Sequence, residues 1–125
     1  MNKPAYRLNS QHIPQEFPRE FDAHIYFKLE ELQKAQAMRE EILTRFKDAQ
    51  VFIGDLIPKP VGPHTLPMFE VNFPRSLFQE VTLWLLHHRK DLNVLVHELT
   101  GDDYFDHTQG AMWLGHTVPL KYEVF

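Results

Sequence analysis

Phe21-Asp22-Ala23-His24-Ile25-Tyr26-Phe27 alternates between apolar and polar side chains. Successive side chains of a strand point to opposite faces, so Phe21, Ala23, Ile25 and Phe27 share one side and Asp22, His24 and Tyr26 the other. The stretch predicts a short half-buried strand. Immediately downstream the period changes. Leu32, Ala35, Met38, Ile42, Phe46 and Ala49 recur every three or four residues with Glu, Lys and Arg between them, which predicts an amphipathic helix over 29–50.

Working outward, 51–57 reads as a second strand. Pro58, Pro60 and Pro63 each lack an N–H donor, so 58–64 is expected to be an extended loop. Residues 68–73 alternate again, with Phe69, Val71 and Phe73 on one side and Met68, Glu70 and Asn72 on the other, and Pro74 ends the run. Ser76 and Gln79 have the spacing of a capping box. Leu77, Val81, Trp84, Leu85 and His88 then mark one face of a second helix, and 94–99 reads as a fourth strand. Residues 100–125 are rich in turn-forming residues, with room for one more short strand and with Ala111-Met112-Trp113-Leu114 as a hydrophobic docking strip.

The order strand, helix, strand, strand, helix, strand predicts an α+β domain of the ferredoxin-like βαββαβ type over 20–125. Its four-stranded antiparallel sheet is expected in the order fourth, first, third, second, with both helices on one face. Residues 1–19, with Pro4, Pro14 and Pro18, read as an irregular arm. The helix-free face would carry Asp22, His24, Tyr26, Met68, Glu70, Asn72, Leu95 and His97. A bare face of that kind invites a second copy, so a homodimer is expected.

Composition narrows the function. The net charge is −4 and no Lys/Arg-rich stripe is present, which argues against nucleic acid as a partner. No apolar run approaches the length of a membrane helix, and the first residues lack the apolar centre of a secretory signal. There is no cysteine, so disulfides and thiolate metal sites are excluded and a cytoplasmic setting is expected. Histidine, at eight residues, is abundant.

His24, Glu70 and His97 fall on strands that the expected order makes neighbours, about 4.8 Å apart. From there they can reach one ion with bonds of about 2.1 Å. Two histidines and a carboxylate on one side of a metal leave the opposite positions open, which suits a non-haem Fe(II) enzyme that must bind both a substrate and O₂. Zn or Ni can occupy the same donors. Taken singly, each of these residues is more ordinarily structural or exposed, and a one-residue slip in register would turn it into the core.

The other histidines divide. His12 lies in the polar arm, and His116 in a Gly/Thr-flanked stretch that suggests nothing specific. His87 and His88 fall near a helix C-terminus, where the dipole favours positive charge. His64 follows Gly62-Pro63 on a stiff loop, the kind of placement that often carries function. His107 follows Asp106, an adjacency that more often reflects turn chemistry.

These motifs together resemble the DOPA 4,5-dioxygenase family. The resemblance rests on 22–27, on Gly62-Pro63-His64, on Val94-Leu95-Val96-His97 running into 100–108, and on Ala111 to Gly115. It implies a ferredoxin-like sheet and extradiol opening of a catechol such as DOPA with Fe(II) and O₂. It marks His24, His64, His97 and His107 as site positions. The family often reads His-x-His at the first strand, where this chain has Asp22. Asp22 would stand beside His24 on the same face, placed to support it.

The expected assignment is therefore His24, His97 and Glu70 as metal ligands, with His64 as the rival third ligand. The non-ligating one of His64 and His107 would act as acid and base, with Tyr26 hydrogen-bonding the oxygenated substrate. Arg75, Arg89 and His64 are candidates for pairing with a charged group on the substrate. The principal alternative is a non-enzymatic dimeric ligand-binding module with a histidine-lined pocket. A third possibility is a hydrolysis or isomerisation run on the same metal site.

Overall fold

The computed structural model describes residues 20–125. The arm expected over 1–19, including His12, lies outside the described residues. Strand β1 (Glu20–Tyr26) leads through a 3-10 turn (Leu29–Glu31) into helix α1 (Leu32–Arg45). Strand β2 (Phe52–Ile53) and strand β3 (Met68–Pro74) follow, then a second 3-10 turn (Arg75–Leu77), helix α2 (Phe78–His88) and strand β4 (Val94–Glu98). A short helix α3 (Asp103–His107), strand β5 (Ala111–Leu114) and a 3-10 turn (Tyr122–Val124) complete the order.

All pairings are antiparallel and the sheet order is β2-β3-β1-β4-β5. The four expected strands keep the expected order, and β5 adds a fifth at the β4 edge, so the four-stranded expectation is corrected. The hydrophobic strip Ala111–Leu114 docks as that strand, opposite Val94–His97.

The main core forms where the apolar side of the sheet meets α1 and α2. Ala23, Ile25, Phe69, Val71, Phe73, Val94 and Val96 pack with Ala35, Met38, Ile42, Val81 and Leu85, all buried. Both helical stripes have the three-to-four spacing that aligns side chains on one face.

Several boundaries differ from expectation. Helix α1 stops at Arg45, where Phe46 leaves helical geometry, rather than at 50. Strand β2 is two residues long; Gly54 N–H then donates to Glu70 O at 2.7 Å, and Ile57 returns to β3 through an isolated bridge to Met68. Ser76 is no cap: it lies inside the 3-10 turn, and Leu77 precedes α2 with no side-chain cap bond.

The second face of the sheet is not bare. Tyr26, Met68 and Leu95 pack there with Val118 and Leu120, flanked by Ile57, Leu66, Ala111 and Trp113. The chain's own tail thus covers part of that face. Among the described residues, no helix is long and apolar enough to cross a membrane.

Candidate metal centre

Three local structures bring the histidines together beneath this cover. The first is the sheet register. Asp22 lies directly opposite His97 across the β1–β4 ladder, and His24 lies two residues further along the same face of β1. The second is the proline loop. Val61 and His64 exchange both backbone hydrogen bonds, at 3.2 and 2.9 Å, around a two-residue Gly62-Pro63 turn. Gly62 has φ +54°, a conformation glycine adopts at little cost. The far side of this turn is tied to the tail by Lys121 N–H donating to Pro63 O at 2.8 Å and by Thr65 Oγ1 donating to Pro119 O at 2.6 Å.

The third is α3. The Asp102 side chain accepts from Phe105 N at 3.0 Å, a standard N-cap. The fully buried Asp106 carboxylate accepts from Thr100 N at 2.9 Å and from Thr100 Oγ1 at 2.6 Å. These bonds fold the helix back against the exit of β4 and set His107 beside His97, with ring centroids 4.3 Å apart.

The result is a buried constellation of Asp22, His24, His64, His97 and His107. The Nε2 atoms of His24 and His97 are 3.1 Å apart. The His24 and His64 rings are 4.3 Å apart between centroids. Two sets of donors have ligand atoms all within 4.8 Å of one another: Asp22, His24 and His97, and His24, His64 and His107. His24 belongs to both.

The hydrogen bonds at the back of each ring decide which nitrogen faces inward. His97 Nδ1 lies 2.8 Å from Glu98 O, and His107 Nδ1 lies 2.7 Å from Asp103 O. A carbonyl only accepts, so both rings carry the proton on Nδ1 and leave the Nε2 lone pair free. This is the support commonly given to metal-ligating histidines. His64 Nδ1 is held by the Tyr26 hydroxyl at 2.7 Å. With the lone pair of His97 Nε2 exposed, the 3.1 Å contact requires His24 Nε2–H to donate to it. That proton stands between two nitrogens where a cation would replace it. Bonds of about 2.1 Å to nitrogens at this separation subtend about 95°, the angle between adjacent octahedral positions. The donor set fits a divalent transition metal.

Burial also tunes the rings. It lowers the His64 pKa to about 4, with the neighbouring His107 and His97 adding to the effect. Burial lowers His97 as well, against the opposing influence of its bond to Glu98 O. Both imidazoles are therefore neutral at pH 7, the form that ligates metals. Burial pushes Tyr26 well above the usual phenol range, and the nearby Tyr122 adds to the shift.

The expected residues thus fare differently. His24, His64, His97, His107 and Tyr26 come together. Glu70 lies opposite His24 on the β1–β3 ladder but belongs to neither donor set. The carboxylate among the donors is Asp22, which also accepts from Asn72 Nδ2 at 2.8 Å. The signal for Asp22 was present in the sequence, since it shares the His24 face. What the alternation could not provide was whether Asp22 or Glu70 reaches the imidazoles.

Asn72 had no expected role. Its Nδ2 also donates to Glu20 Oε1 at 3.2 Å and Phe21 O at 3.1 Å. His88 sits in the last turn of α2, where its Nδ1–H donates to Trp84 O at 2.9 Å. His87 and His116 are exposed. Arg89 donates from Nη1 to Leu92 O at 2.9 Å just past the end of α2.

Known proteins bear on this arrangement. The sequence profile of the Dopa 4,5-dioxygenase family matches residues 21–124. A DOPA 4,5-dioxygenase from Amanita muscaria is 32% identical over 109 residues, covering 82% of this chain and 48% of that protein. An uncharacterized 21.2 kDa protein from Botryotinia fuckeliana is 35% identical over 111 residues, covering 80% of this chain and 60% of that protein. The chain therefore spans about half to three-fifths of the length of these two relatives. The crystal structure of a proposed dioxygenase from Nostoc punctiforme superposes with a TM-score of 0.81 at 35% identity, covering 90% of this chain and 95% of that one. The chain belongs to the DOPA 4,5-dioxygenase family.

Proposed function

We propose that this chain is a metal-dependent extradiol dioxygenase that opens the ring of a catechol such as DOPA with O₂. The observation that carries the reading is the convergence of His24 Nε2 and His97 Nε2, 3.1 Å apart, with the Asp22 carboxylate beside them. Two imidazoles and one carboxylate are the donors favoured by non-haem Fe(II) oxygenases. Asp22 here takes the part expected of Glu70. The set His24, His64 and His107 is the second candidate, since its ligand atoms lie equally close. In support of the fold, strands β1 to β4 with α1 and α2 follow the order of a ferredoxin-like βαββαβ core, to which β5 is an addition.

Fe(II), when bound, would supply a Lewis acid and a template for the two catechol oxygens and O₂. The rest falls to the chain's own groups. A catechol must shed a phenolic proton, and a neutral imidazole is a suitable acceptor at pH 7. With Asp22, His24 and His97 as ligands, His64 and His107 are both free for that task. Tyr26 keeps its own proton because of its raised pKa, and its hydroxyl oxygen can accept from His64 Nδ1–H, which orients the ring and leaves the Nε2 lone pair to take the catechol proton. Val118, Leu120 and Trp113, packed over Tyr26 and Met68, would limit water on that side of the histidines. Both atoms of O₂ end in the product, as an aldehyde and a carboxylate, so no further reductant is required.

The test is anaerobic loading with Fe(II), addition of L-DOPA or a simpler catechol, and admission of air. A yellow semialdehyde chromophore with stoichiometric oxygen uptake is the expected result. No catechol-dependent oxygen uptake across several catechols would overturn the reading and favour a ligand-binding module.

A further inference from the structure

Three aromatic rings stand exposed beside the buried histidines, and the proposed chemistry assigns them nothing. Tyr104 is 57% exposed, Tyr122 43% and Phe125 40%. They form one contiguous group. The Tyr104 ring meets Tyr122 edge-on at 6.5 Å and Phe125 edge-on at 6.3 Å between centroids. Phe125 in turn lies 4.7 Å from the His107 ring at a 36° tilt. The group thus runs without a break from solvent to the histidine cluster.

Large exposed aromatic surface is disfavoured unless something covers it part of the time. Here the rings come from two separate elements, α3 and the turn at 122–124 with the residue after it, and meet at the side of one of the site histidines. Tyrosine and phenylalanine offer flat, rigid faces that hold another ring by offset or edge contacts. The three rings together offer planar aromatic surface, edged by two phenol hydroxyls.

We propose that Tyr104, Tyr122 and Phe125 form the wall that receives the substrate's aromatic ring and selects aromatic over non-aromatic bidentate ligands. The inference rests on the proposed function, because it assumes that the ligand's two oxygens are held at the histidine cluster. It goes further in assigning ring recognition to residues that hold no metal and move no proton. Phe125 contacts His107 directly and orients the ring. Tyr122 meets Tyr104 edge-on and extends the wall. Tyr104 backs both.

The experiment compares two bidentate ligands on Fe(II)-loaded protein under anaerobic conditions. One is 4-nitrocatechol, whose absorbance shifts on chelation. The other is acetohydroxamate, which chelates through two oxygens but has no ring. In Phe125→Ala and in Tyr104→Ala, the Kd for 4-nitrocatechol should rise roughly tenfold, while the Kd for acetohydroxamate and the iron content stay at the wild-type values. Phe125→Tyr should restore catechol binding. Equal weakening of both ligands would mean that the rings only support the metal site, and unchanged catechol binding in both variants would mean that they do not touch the ligand. Either result overturns the wall and leaves the proposed function standing. Wild-type protein that takes up iron but binds neither ligand would overturn both.

Discussion

The Nε2 atoms of His24 and His97 lie 3.1 Å apart, although 73 positions separate the two residues in the chain. The sheet accounts for this. Strands β1 and β4 are neighbours, Asp22 faces His97 across their ladder, and His24 follows two residues later on the same side. The bond from His97 Nδ1 to Glu98 O then turns the free nitrogen inward.

Asp22 and Glu70, both on this face, make opposite predictions. Asp22→Asn should weaken Fe(II) affinity by 10- to 100-fold, the range seen when a supporting or ligating group is lost. Glu70→Gln, one strand away, should change it less than about twofold, a margin within ordinary variation between surface variants. Competition against a chromophoric chelator reads both. The reverse pattern would return the ligand role to Glu70.

Tyr26→Phe removes the hydroxyl 2.7 Å from His64 Nδ1 and leaves the ring packed near Trp113. Iron content should remain at wild type. Turnover should fall by about a hundredfold, the scale of a misplaced general acid or base. Steady-state oxygen uptake on metal-replete protein checks it, and loss of iron together with activity would instead make the tyrosine a structural support of the metal.

Asp106 holds α3 in place through two bonds from Thr100, at 2.9 and 2.6 Å. Asp106→Ala removes the buried carboxylate that accepts from the Thr100 N–H and hydroxyl, two hydrogen bonds to a charged group, which should cost about 1–3 kcal/mol of stability. Because α3 carries His107, the same variant should disturb the second donor set before it disturbs His24 and His97. Chemical denaturation gives the first number, and the iron affinity of the folded variant gives the second. A stability within about 0.5 kcal/mol of wild type would show that Thr100 and Asp106 are not the staple described here.

Acid should destabilise the metal-free protein. Burial lowers the folded-state pKa of His64 to about 4, from an unfolded value near 6.5, and lowers His97 too. Between those two pH values the unfolded chain binds a proton at His64 that the folded chain does not. Stability should therefore be fully present above about pH 6.5 and fall as pH drops toward 4, with no further loss from this group below that. Melting temperatures of chelator-treated protein across the range measure the slope. A His64→Gln variant should flatten it, and an unchanged slope would contradict the assignment.

The parts of this architecture that the sequence reveals are those with a regular period. The alternation in β1 and β3 and the stripes Ala35, Met38, Ile42 and Val81, Leu85 identify sheet, helices and core face directly. The cover over the second face has no period. Val118 and Leu120 are isolated apolar residues on either side of a proline, and their burial becomes visible only once Lys121 and Thr65 tie the tail to the loop at Pro63. Helix α3, at five residues, is too short to show a stripe, and Asp102 is its one local cue. Within the site, His24 and His97 are legible on alternating strands and His64 on a stiff proline loop, whereas His107 is marked only by the family resemblance. The pattern does not separate Asp22 from Glu70, since both share a face with His24 and only side-chain reach distinguishes them.

The most direct test of the account is iron stoichiometry in untagged protein loaded anaerobically with Fe(II), for wild type and for His24→Ala. His24 belongs to both donor sets, so its loss removes a ligand wherever in the constellation the ion sits. One iron per wild-type chain, and essentially none in the variant with its fold intact by circular dichroism, is the predicted result. A folded His24→Ala protein that still holds one iron per chain would contradict the account.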